Sequence, residues 1–125
     1  MTPLETMSER EFFADVGRRP GMFVGRATYH AISSFIDGYD RHAMRDGGGW
    51  LTEFHDWVLR KRGLKSSPLV WSGEVLWLAF PDGAFRASAF DLTADENAHA
   101  ISVLFELLDE FLAEREAAGD GPASA

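Results

Sequence analysis

Four histidines, His30, His42, His55 and His99, and the closely spaced carboxylates Asp37 and Asp40 are the side chains best suited to chemistry in this sequence. His30 and Ser34 stand four apart on one helix face, the spacing of a base beside a hydroxyl nucleophile. Such catalysis also needs a group that orients the base and an oxyanion site, and the sequence displays neither. Asp37 and Asp40 are one helical turn apart, but paired acid and base work demands one carboxyl desolvated and the other solvated, which spacing does not supply. No His-Glu-x-x-His pattern occurs, and the absence of cysteine excludes disulfides, thiolate zinc sites and cysteine nucleophiles. Gly47-Gly48-Gly49 runs into Trp50-Leu51, without the lysine and hydroxyl of a phosphate-binding loop. The residues imply no catalytic set, no metal and no cofactor.

The elements that carry these side chains read as helices. With 125 residues, 46% of them hydrophobic and 13% aromatic, the chain has material for one core. We expect a mainly α, single-domain bundle of about five helices over residues 1–114. A disordered tail of acidic and small residues follows over 115–125, where apolar content is too low to offset ordering entropy. Ser8-Glu9-Arg10-Glu11 is a capping box, with Phe12, Phe13 and Val16 as its apolar face, Gly17 as its stop and Pro20-Gly21 as a turn. Thr28 is the N-cap of a helix running to about Arg45, with Ile32, Phe35, Ile36, Tyr39 and Ala43 on one stripe. Gly38 inside that helix costs roughly 1 kcal/mol relative to alanine, which predicts a neighbour packed close against it.

A third helix spans about Trp50 to Arg62, buries Trp50, Phe54, Trp57 and Val58, and stops at Gly63. Its Arg60-Lys61-Arg62 end suits the negative pole of the helix dipole better than a nucleic acid. Ser67-Pro68 reads as N-cap and first position of a further helix over 69–80. A competing β-hairpin signal covers 75–90, two apolar runs around Pro81-Asp82-Gly83. Thr93-Ala94-Asp95-Glu96 caps the last helix, whose core stripe is Ile101, Leu104, Phe105, Leu108, Phe111 and Leu112.

The net charge is −8 and unevenly placed: residues 1–65 carry ten basic and nine acidic side chains, residues 66–125 two basic and eleven acidic. This argues against nucleic acid and anionic membrane as partners. No transmembrane span or signal peptide is read, and the lack of cysteine fits a cytoplasmic setting. The leading expectation is a non-catalytic cytoplasmic domain that binds a basic protein partner through its acidic C-terminal half, with Glu106, Asp109, Glu110 and Glu114 as contact residues. The alternative is a small-molecule enzyme or ligand-binding protein with an aromatic-lined pocket between the helices at 28–45 and 50–62, using His30, Tyr39, His55 and Trp57. A third option is self-association through exposed Trp71 and Trp77.

Arg19-Pro20-Gly21-Met22-Phe23-Val24-Gly25, followed by Phe35-Ile36-Asp37-Gly38-Tyr39, resembles the loop and helix of the ATPase domain of the DNA gyrase B subunit. Ser34 and Gly38 occupy the positions of that family's general base and metal ligand, so its chemistry does not carry over. Over most of its length the chain resembles small bacterial helical proteins with an Arg-Pro-Gly-Met loop and a Gly-Tyr pair, here Gly38-Tyr39. These continue with an aromatic helix, here at 54–58, and end with an acidic one, here at 105–111. Some are associated with toxin and immunity loci, and the resemblance implies the fold and an immunity-like or antitoxin-like role.

Overall fold

The structure, a computed structural model, describes residues 7–82 and 92–119. It is mainly helical, with six helices among those residues: α1 (Glu9–Arg18), α2 (Pro20–Val24), α3 (Tyr29–Met44), α4 (Leu51–Arg62), α5 (Trp71–Ala79) and α6 (Ala94–Ala117). None is long and apolar enough to cross a membrane. Helix α6, about 36 Å long at 1.5 Å per residue, packs against α1, α3, α4 and α5. It buries Ile101, Leu104, Leu108, Phe111 and Leu112 of the predicted stripe together with Ala100, whereas Phe105, also expected in that stripe, is only half-buried against Gly17.

Local chemistry sets most boundaries. Ser8 and Thr93 form the two expected capping boxes, and the Thr28 hydroxyl accepts from the Ala31 amide. Gly63 closes α4 at φ 73°, a left-handed conformation that favours glycine. The core is an aromatic chain: Phe13 meets Trp50 edge-on at 5.4 Å, and Phe111 packs against Trp50, Phe54 and Trp57. Such contacts add to the burial of large apolar rings and fix how the helices cross.

Several local expectations yield to packing. Gly17 does not stop α1, which runs to Arg18; it lies under Phe105, whose Cδ1 and Cγ would be 2.9 Å from an added Cβ. Pro20-Gly21 is not a turn but the start of α2, with proline at its first position, and the positive φ falls on Gly25 instead. Ser67-Pro68 does not start the next helix. The Ser67 hydroxyl accepts from the Leu69 amide in a local turn, and α5 begins at Trp71. The first run of the hairpin signal is therefore helical through Ala79, and the second lies outside the described residues.

Gly38 meets nothing within 4 Å, so the expected close neighbour is absent from the described chain. Helix α6 continues past the expected boundary at 114, because Arg115 reaches the carboxylates of Glu9 and Glu53 at 3.4 Å each. The rest of the proposed tail, 120–125, lies outside the described residues.

Candidate functional site

Helix α6 carries seven acidic side chains and one basic, and most of the acids lie on its solvent side because its other face is the core stripe. The four predicted contact residues differ in what they already hold. Asp109 takes a two-pronged bond from Arg10, at 2.7 and 3.1 Å. That hydrogen bond, helped by the charge of Arg10, holds the Asp109 carboxyl below its ordinary value of 3.8 and raises the Arg10 guanidinium. Glu110 pairs with Lys61 at 2.5 Å, and Glu114 accepts from the Trp57 indole at 3.1 Å. Glu106 and, beyond the predicted set, Glu116 are exposed and enter no salt bridge among the described residues. The face is therefore anionic, but three of its four predicted contacts, Asp109, Glu110 and Glu114, also clamp α6 to α1 and α4.

Beside this face an open groove of about 570 Å³ runs where α6 meets α1 and the segment 20–27. Gly17, Pro20, Ala27, Ala98, Ile101 and Phe105 supply most of its apolar lining, and the charged side chains of Arg18, Glu106 and Asp109 also line it. The lining thus sets small apolar residues beside negative charge.

The alternative ligand residues do not converge. His30 is exposed at a groove between the starts of α3 and α6, with Arg26 and Asn97. Tyr39 stacks on Phe12 and donates to Glu9 Oε2 at 3.2 Å; burial, then the nearby Glu9 charge, pushes its phenol up to about 12. Trp57 stacks on Phe54. His55 lines a groove of about 240 Å³ between α3, α4 and Trp71, and its buried Nε2 has no hydrogen-bond partner. Of the four residues expected to line an aromatic pocket between these helices, this groove holds only His55; Trp71, Asp37 and Asp40 line it, and His30, Tyr39 and Trp57 do not.

Both aspartates serve the fold. Asp40 is 5% exposed, and its Oδ1 accepts the Trp50 and Leu51 amides at 2.7 and 3.0 Å. It thereby caps α4, whose own N-cap residue Trp50 offers no side-chain acceptor. Asp37 Oδ1 accepts from the Trp71 indole at 2.8 Å, which leaves Trp71 only 6% exposed. Self-association through an exposed Trp71 is thus corrected, and Trp77 is half-buried beneath the Arg62 guanidinium. No group of three or more His, Asp and Glu is placed to hold a metal among the described residues.

Two residues escaped the sequence reading. Glu9 accepts from the Trp50 indole at 2.7 Å and from Tyr39, and pairs with Arg115, so one carboxylate ties α1, α3, α6 and the start of α4. Glu74 is fully buried on α5 and pairs with Arg62 of α4, while its Oε1 has no partner. The only signal for Glu74 was a lone acid within the apolar run 69–80. Compared with protein-family models, curated proteins and solved structures, the chain finds no match.

Proposed function

We propose that this chain is a non-catalytic cytoplasmic binding domain, immunity-like or antitoxin-like, that covers the basic surface of a protein partner with the acidic face of α6. The observation that carries the reading is the continuity of that face with the apolar groove along α1, α2 and α6. Charge speeds encounter and selects the partner's sign, while apolar contact slows release. The side chains best suited to chemistry support it as well: Asp37 and Asp40 are engaged in hydrogen bonds that hold helices in place. The resemblance to small helical proteins of toxin and immunity loci points the same way, since many toxins that degrade nucleic acid present positive clefts.

The test starts from affinity capture of the tagged chain in its native host, followed by titration of the purified basic partner. Charge reversal belongs at Glu106 and Glu116, because reversing Asp109, Glu110 or Glu114 also breaks contacts within the fold. Glu106→Lys with Glu116→Lys is expected to weaken binding by about tenfold or more, mostly in the association rate. Capture of no basic protein, or binding indifferent to both substitutions, refutes the reading.

A further inference from the structure

We infer that a second surface, which shares no residue with the groove along α6, joins two copies of this chain in an antiparallel α3-to-α3 contact centred near Gly38. A glycine inside a helix costs roughly 1 kcal/mol, and close approach of another backbone is the usual compensation. Among the described residues that compensation is missing, because none of them lies within 4 Å of the position a Gly38 Cβ would take. Gly38 instead forms the floor of an open groove of about 400 Å³, with Ser34, Asp37, Arg41, Val70 and Ser72 around it. Two large apolar side chains flank this strip in solvent: Val70 is 67% exposed and Met44 60%.

The charges on the strip complement themselves. Asp37 and Arg41 stand at i and i+4 yet form no salt bridge with each other, and Arg41 has no hydrogen-bond or ionic partner among the described residues. Asp37 is held in place by the Trp71 indole through Oδ1, which leaves its second oxygen available. A two-fold axis at the level of Tyr39 sets Asp37 of each copy against Arg41 of the other, and Ser34 of each against the other's Met44. Both pairings arise from one operator, as an isologous interface requires. A parallel arrangement juxtaposes like residues and gains neither pair. The occupant of the groove is therefore a second copy.

The experiment is sedimentation equilibrium on the full chain, with far-UV circular dichroism confirming that each variant is helical. The wild-type chain is expected to approach twice 13.9 kDa as concentration rises. Arg41→Glu and Asp37→Arg each place like charges at both contacts and are expected to weaken the dimer on the order of a hundredfold or more. An equimolar mixture of these two variants regains opposite charges at both contacts, and a mixed dimer is expected to form. Gly38→Leu fills the floor and is expected to leave a folded single chain. If Asp37→Arg loses its helical signal, Arg41→Glu and Gly38→Leu decide the question alone. A wild-type chain that stays at single mass throughout overturns the inference, as does a dimer that Arg41→Glu and Gly38→Leu leave unchanged, or two folded single-mass variants that do not combine on mixing.

Discussion

Removing the Asp40 carboxylate tests whether the most chemically suggestive acid in the chain is a structural cap. In Asp40→Ala the Trp50 and Leu51 amides, now bonded at 2.7 and 3.0 Å, lose their acceptor. Trp50 is nearly fully buried, so water cannot readily replace it. Losing an N-cap costs about 1–2 kcal/mol, and a buried amide left without a partner about 1–3 kcal/mol. Because these overlap, the expected loss is about 3 kcal/mol. At roughly 5 °C per kcal/mol for a domain of this size, the melting temperature drops by about 15 °C. Asp40→Asn keeps a carbonyl acceptor but not the charge that favours a helix N-terminus, and is expected to lose about 1 kcal/mol. Urea unfolding followed by circular dichroism measures both, with Asp56→Ala on the exposed face of α4 as a control expected within about 0.5 kcal/mol of wild type. An Asp40→Ala protein as stable as the control refutes the reasoning.

Further outcomes follow from other contacts. Gly17→Ala and Gly38→Ala make the same chemical change in helix interiors with opposite expected signs. The first drives a Cβ to 2.9 Å from Phe105 and destabilises by about 1 kcal/mol net, whereas the second meets open space and stabilises the dilute chain by about 0.5–1 kcal/mol in urea unfolding. Arg62→Ala strands the fully buried Glu74 and is expected to cost about 3–5 kcal/mol, and Glu74→Met combined with Arg62→Met recovers most of it in thermal melts. The depressed Asp109 carboxyl gives a sign for acid behaviour. The folded chain binds that proton less readily than the unfolded one, so the contribution is complete above the ordinary value of 3.8 and vanishes as pH falls through the lower folded value. Asp109→Asn is accordingly expected to flatten this part of the acid limb of the stability curve, measured by urea midpoints across that range.

Features encoded within one or two helical turns were legible in the sequence. The capping boxes at Ser8 and Thr93, the Thr28 cap, the Gly63 stop and the α6 stripe all formed, because each depends on neighbours a few residues away. What was missed depends on distant partners. Ser67-Pro68 carries a strong start signal, yet α5 begins where the Trp71 indole reaches Asp37, 34 positions back in the chain. Gly17 reads as a stop until Phe105 arrives from α6 to occupy the space it leaves. At the acidic face, composition showed the sign of the charge but not that Arg10, Lys61 and the Trp57 indole would claim Asp109, Glu110 and Glu114. For the same reason, the residues of the imagined aromatic pocket were scattered: helical spacing places a side chain on a face without saying which helix that face will meet.

The most direct test of the proposed role is the association rate between this chain and its basic protein partner, followed by stopped flow over increasing salt. Steering by the α6 field predicts a rate that falls steeply with ionic strength while dissociation changes little, and a shallower dependence for Glu106→Lys with Glu116→Lys. An association rate flat across the salt series, unchanged by those two substitutions, contradicts it.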